Sequence, residues 1–166
     1  MTAFLVIGGT IAVWFFETRS DGVLVNASLK EQFLGALFHS VTPRTAGANT
    51  LPMDQLTIPT LLMTIVFMFI GGGSGSTAGG VKIATITVLA AVIWSQLRGS
   101  TETVLWRRTI SNSLVLKAFT LVSCSAMWVF ITTIVLAMTT DGYTMITYLF
   151  EATSAFGTVG LSLGIT

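Results

Sequence analysis

A glycine run in the middle of an apolar stretch constrains this chain more than any other feature. Between Leu56 and Trp94 the apolar sequence is interrupted by Gly71-Gly72-Gly73-Ser74-Gly75-Ser76-Thr77-Ala78-Gly79-Gly80, in which glycine fills most positions. Each glycine inside a helix costs about 1 kcal/mol relative to alanine, so a continuous helix is not favoured here. The flanks, Ile58 to Ile70 and Val81 to Trp94, are each too short to span alone, since crossing a hydrocarbon core takes about 20 residues. Composition shows why such a break matters: 52% of the 166 residues are hydrophobic and 9% are charged, against about 25% charged in a soluble domain. So few charges cannot cover a water-facing surface, which excludes an ordinary cytosolic enzyme and a disordered segment. Non-helical backbone at membrane depth persists only when it is buried in protein or lines a water-filled cavity. The run therefore reads as a membrane helix broken on purpose, in an all-α integral membrane protein.

Other runs complete the pattern. Thr2 to Phe16 is apolar but short, and begins without a positive leader or a cleavage site. It is expected to be the back half of a spanning helix, with Trp14, Phe15 and Phe16 before Glu17 and Arg19 marking an interfacial end. Ser113 to Met138 is long enough to span with some tilt, with Lys117 near its start. The stretch from Met145 onward is too polar to span. Arg98, Arg107 and Arg108 against Glu102 place the 95–110 loop on the cytoplasmic side. The net charge of +1 offers no field for nucleic acid. Cys124 and His39 are the sole residues of their types, which argues against a disulfide framework or a histidine metal cage within the chain.

The segment from Glu17 to Glu31 and the turn before Tyr143 are then assigned outside, and two stretches that follow them enter without crossing. Leu29 to Asn49 and Thr144 to Leu163 each combine a short helix-like segment with a polar, glycine-containing stretch. Thr45-Ala46-Gly47 in the first is echoed by Thr158-Val159-Gly160 in the second. Internal similarity at a fixed offset suggests a repeated unit. A short helix entering the membrane aims the negative end of its dipole at the bilayer centre, and an extended strand after it can turn backbone carbonyls toward a dehydrated cation. The candidate filter residues are Thr45, Ala46, Gly47, Ala48, Asn49, Thr158, Val159, Gly160 and Leu161. No Asp or Glu lies in either filter-like stretch, which suits a monovalent cation better than a divalent one.

Thr42-Pro43-Arg44-Thr45-Ala46-Gly47, the 71–82 segment, and Phe150-Glu151-Ala152-Thr153-Ser154-Ala155-Phe156-Gly157-Thr158-Val159-Gly160-Leu161-Ser162 together resemble the Trk/Ktr/HKT superfamily of potassium transporters, the bacterial Ktr-type membrane subunit most of all. The resemblance implies tandem M1–P-loop–M2 repeats around one pseudo-fourfold pore. Residues 1–94 then correspond to a third repeat with a truncated M1, 95–112 to a cytoplasmic linker, and 113–166 to a fourth repeat without its final M2. It further implies potassium uptake across the plasma (inner) membrane by a multi-pass protein, sodium-dependent in many members. No covalently bound cofactor is implied; K+, and in such members Na+, is the substrate. Expected partners are a second copy, the lipid bilayer and a cytoplasmic ring of regulatory subunits binding ATP/ADP or NAD. Gly71, Gly72, Gly73, Ser74, Gly75, Ser76, Thr77, Ala78, Gly79, Gly80 and Lys82 resemble the family's gating loop. One departure is Ala48, where many relatives carry a bulky aromatic.

Plainer readings stand beside these. Thr45–Asn49 and Gly157–Ser162 also fit ordinary turn-rich outer loops. The glycine run contains G-x-x-x-G spacings that favour close helix packing. It nearly mimics a phosphate loop, but Val81 intrudes before Lys82 and no hydroxyl follows the lysine, so a nucleotide site is rejected. Lys82 is either an electrostatic barrier on a cation path or a lysine reaching for the interface. Arg44 is expected to hold its loop through an acid or carbonyls, Glu151 to bond filter amides from behind or face the vestibule, and His39 to be a packed helix residue. A broken-helix secondary transporter and a non-transporting fragment that associates with the full-length subunit are the rival functions. An enzyme is not expected, for want of a paired-carboxylate, nucleophile or metal site.

Overall fold

The computed structural model describes residues 2–19, 22–73, 75–99, 104–105 and 108–165, with backbone alone at 104–105 and 108–109. Helices dominate it: α1 (Thr2–Glu17), α2 (Leu29–Val41), α3 (Ile58–Phe69), α4 (Ile83–Leu97), α5 (Asn112–Thr139) and α6 (Met145–Gly157), with a 3-10 turn at Met53–Gln55. One short antiparallel ladder, β1 (Val104–Leu105) against β2 (Arg108–Thr109), lies between α4 and α5. Glu102 and Arg107, used above for orientation, lie outside the described residues.

At 28 residues, α5 is about 42 Å long at 1.5 Å per residue, enough to cross a membrane. Its apolar side chains point outward; Leu116, Trp128 and Met138 are all more than half exposed. That suits contact with lipid, in which side chains gain from packing rather than from leaving water. The short helices α2 and α6 are each 13 residues, about 20 Å, so neither crosses. The broken helix is borne out in its backbone: α3 stops at Phe69 and α4 starts at Ile83.

Local chemistry sets these boundaries. Ser28 and Glu31 form a capping box at the start of α2: the Ser28 backbone N–H donates to the Glu31 carboxylate at 2.9 Å, and the Glu31 N–H to Ser28 Oγ at 3.4 Å. The Ser28 amide and hydroxyl hold the Glu31 carboxyl below the usual carboxylate range. Pro59 sits in the first turn of α3, where its missing N–H costs nothing. Tyr148 hydrogen-bonds the Thr140 carbonyl and thereby closes the turn between α5 and α6.

Helix α1 lies along α2, α5 along α6, and α3 bridges α1 and α6. Their shared core contains Val13, Ala36, Met68 and Phe150, joined by Val159 and Leu161 from the stretch after α6. The Phe69 and Phe156 rings stack with centroids 5.8 Å apart. The expected interfacial end of α1 differs from its sequence reading, because Glu17 is fully buried. Its carboxylate accepts from Val23 N at 3.0 Å, Thr57 N at 3.1 Å and Thr57 Oγ1 at 2.8 Å. Three donors compensate a charge that burial would otherwise penalise severely.

Candidate functional site

The two glycine-containing stretches, far apart in sequence, meet in space. A Cβ built on Gly47 would lie 2.5 Å from the Val159 carbonyl oxygen, and one on Gly160 would lie 3.8 Å from Gly47 Cα. They also share a backbone signature. Thr45 and Gly47 have φ of +71° and +67°; Thr158 and Gly160 have +53° and +86°. Thr45 and Thr158 are the only non-glycine residues with positive φ among the described residues. A β-branched residue is an outlier there, and such strain, about 1–3 kcal/mol per residue, gathers at functional sites. Alternating left-handed and ordinary conformations also let successive carbonyls face the same side.

No carbonyl of Thr45, Ala46, Gly47, Thr158, Val159 or Gly160 accepts a hydrogen bond among the described residues. Backbone carbonyls in helices and ladders are engaged internally; these six, in two adjoining irregular stretches, are left available as acceptors. Ala48, Asn49 and Leu161 continue the strands beyond each glycine. Behind the second strand, the Glu151 carboxylate accepts from Ser162 Oγ at 2.6 Å and Leu163 N at 2.7 Å. A cavity of about 520 Å³ opens between α5 and this strand, lined by Thr132, Leu136, Glu151, Thr158, Gly160 and Ser162 among others.

The glycine-rich loop closes at its neck. Gly71 N donates to Val81 O and Val81 N to Phe69 O, both at 2.9 Å. Gly71, Gly72 and Gly80 belong to this neck, and Gly73, Gly75, Ser76, Thr77 and Ala78 to the loop beyond it; Ser74 lies outside the described residues. The loop reaches the second strand at Gly79, whose N–H donates to Thr158 Oγ1 at 3.1 Å. Lys82 turns back on its own loop, with Nζ donating to Ser76 O at 2.9 Å and to Ala78 O.

Arg44 and His39 have different surroundings. Arg44 Nε and Nη1 are buried and have no hydrogen-bond partner among the described residues. His39 is buried, with Nε2 2.9 Å from Thr64 Oγ1. The Thr64 hydroxyl already donates to Thr60 O at 2.7 Å, so Nε2 is assigned as the donor in that pair. No group of His, Cys, Asp and Glu suited to holding a metal occurs among the described residues.

A family model described as TrkH, cation transport protein, matches residues 1–166. The chain belongs to this family. It is 36% identical, over 99% of its length, to the Ktr system potassium uptake protein B of Vibrio alginolyticus, 36% of which it covers. It is 39% identical over its full length to the potassium/sodium uptake protein NtpJ of Enterococcus hirae, covering 37% of that protein. Similarity extends to the cation transporter HKT1;1 of rice, at 27% identity over 96% of the chain and 27% of the relative. The chain thus spans about a third of the length of the curated relatives it matches. The resemblance drawn from the motifs holds at the family level, and relatives named as transporters point away from an enzyme.

Sequence reasoning about this TrkH-family chain missed the left-handed threonines, since Thr ordinarily avoids that region. It also missed the carbonyl partners of Lys82. A lysine shortly after Ser76 and Ala78, across glycines that let the chain double back, was the available signal.

Proposed function

We propose that this chain supplies two filter segments, Thr45–Asn49 and Thr158–Leu161, to a potassium-conducting pore in the plasma membrane. The observation that carries this reading is the set of six unpartnered carbonyls in two adjoining strands with matching left-handed residues. Carbonyl oxygens replace the hydration shell of a cation, and a filter without carboxylates suits a monovalent one. The 71–82 loop, resting against Thr158, acts as the gate, and Lys82 holds it in its folded form. The tandem M1–P-loop–M2 organisation makes this chain two of four contributors to one multi-pass pore. Potassium is the substrate, with sodium coupled to its uptake; a second copy and a nucleotide-binding cytoplasmic ring are the partners. The potassium uptake named for the Vibrio and Enterococcus relatives supports the choice of ion.

The test is growth and uptake at low potassium in cells lacking their own potassium transporters. The reading frame containing this chain is expected to restore both. Gly160→Ser in that frame is expected to weaken potassium selectivity. Only Gly47 Cα lies near the added Cβ, at 3.8 Å, so the effect comes from left-handed strain at φ +86°. That strain is about 1–2 kcal/mol, or roughly tenfold. Unchanged uptake kinetics and selectivity in Gly160→Ser would sink the filter assignment.

A further inference from the structure

Each candidate filter strand is gripped twice by one residue near the end of the short helix before it. The Thr42 carbonyl accepts from Ala46 N at 3.2 Å, and the Thr42 hydroxyl donates to the Ala48 carbonyl. The Ser154 carbonyl accepts from Val159 N at 3.0 Å, and the Ser154 hydroxyl donates to the Leu161 carbonyl at 2.6 Å. The offset in sequence that carries Gly47 onto Gly160 also carries Ala46 onto Val159 and Ala48 onto Leu161. The gripped atoms are therefore equivalent in the two strands: the N–H just before the glycine and the C=O just after it. The gripping residues are not equivalent, since the same offset carries Thr42 onto Ala155. Two different helix ends converge on one pattern of contacts. Thr42 and Ser154 are 1% and 3% exposed, so water does not compete for their hydroxyls.

We propose that Thr42 and Ser154 are positioning residues for ion selectivity, each acting as a two-point clip across its filter glycine. This rests on the filter reading above. Because a peptide group is planar, fixing a carbonyl oxygen fixes the whole peptide plane that carries it. The clip pins the Thr45–Ala46 and Ala48–Asn49 planes around Gly47, and the Thr158–Val159 and Leu161–Ser162 planes around Gly160, leaving the two planes that meet at each glycine confined between fixed ends. Glycine, whose φ is otherwise free, is then held with its own carbonyl and those before it on the ion side. The carbonyls of Ala48 and Leu161 serve as anchors, turned to the helix instead of the ion. The second strand has an additional tie through Glu151, whereas the corresponding position before the first strand is Phe38. Loss of the hydroxyl is therefore expected to matter more at Thr42 than at Ser154.

The experiment places Thr42→Val, Thr42→Ser, Ser154→Ala and Ser154→Cys in the full reading frame. It measures K+ and Na+ uptake in proteoliposomes, together with the amount of monodisperse protein. Valine keeps the shape of threonine and removes the donor; serine keeps the donor. Thr42→Val is expected to lose about tenfold in K+ over Na+ discrimination, the scale of one hydrogen bond from a buried hydroxyl. Thr42→Ser is expected to retain discrimination, and Ser154→Ala and Ser154→Cys to lose less than Thr42→Val. If the Thr42→Val and Ser154 variants lower only protein yield or maximal rate, with the K+/Na+ ratio unchanged, the clip assignment is overturned. The Gly160→Ser variant separates the two levels. A changed ratio there with none in the clip variants removes the clip and leaves the filter, whereas no change in any variant removes both.

Discussion

Gly47→Ala in the full reading frame is expected to reduce potassium uptake about a hundredfold at equal membrane abundance, the largest effect of any single methyl group in the candidate filter. Two costs coincide at this position. The backbone is left-handed, with φ +67°, a conformation that costs an L-residue about 1–2 kcal/mol. The new Cβ would also lie 2.5 Å from the Val159 carbonyl oxygen. That oxygen belongs to backbone, and Val159 is 4% exposed in the shared core, so the second strand has little room to retreat. Overpacking of this kind adds about 1–3 kcal/mol. Separation of the strands would relieve it, and separated strands cannot present one set of carbonyls to an ion. Uptake and K+/Na+ competition in transporter-deficient cells check this, with membrane abundance measured alongside. Uptake close to that of the unsubstituted protein would show that the strands do not act together. The contrast with Gly160→Ser is informative in itself, because there the strain is present without the collision.

Much of this architecture is legible in the residues. The apolar runs give the ends of α1, α3 and α5 to within one residue and those of α4 to within three, because length and hydropathy decide what can lie in a bilayer. The glycine run gives the break between α3 and α4, since so many helix-destabilising residues cannot be overridden by flanks that also need a turn. The repeated Thr-x-Gly marks two irregular stretches that approach each other at Gly47 and Gly160. The backbone at Thr45 and Thr158 is not legible, because a left-handed threonine contradicts its own preference; Thr158 adopts it as the C-cap of α6, a place where glycine is the expected residue. The Thr42 and Ser154 clips are hidden for a different reason. Their hydroxyls reach carbonyls at unequal distances along the chain, Ala48 and Leu161, so no fixed spacing marks them. Glu17 sits beside an aromatic cluster and reads as an interfacial charge. Its burial depends on Val23 and Thr57, donors from two loops that hydropathy cannot place. What the sequence conceals is thus mainly hydrogen bonding between segments, which follows the path of the folded backbone rather than any period.

The second large effect is expected at the contact between loop and strand. A Cβ on Gly79 would lie 2.7 Å from both the Gly157 carbonyl oxygen and Thr158 Oγ1. Alanine there must push the loop away from the end of α6 and break the Gly79 N–H to Thr158 Oγ1 bond. The end of α6 has little freedom to yield, since Thr158 and Val159 are tied to Ala155 and Ser154 carbonyls at 3.1 and 3.0 Å. The loop is the softer partner: its body is glycine-rich and held by Lys82 through two of its own carbonyls. If the loop is a gate whose closed position is the one against Thr158, Gly79→Ala raises potassium flux. The gain expected is about tenfold, the scale of one lost hydrogen bond together with modest overpacking. Thr158→Val, which removes the same hydrogen bond without filling space, is expected to act in the same direction and more weakly. Flux through reconstituted protein at fixed ion gradients distinguishes the alternatives. Higher flux with unchanged K+/Na+ ratio places Gly79 in the gate. Lower flux with a degraded ratio would instead make the loop a prop that holds the second strand in shape, and the gating assignment would then fail while the filter assignment stood.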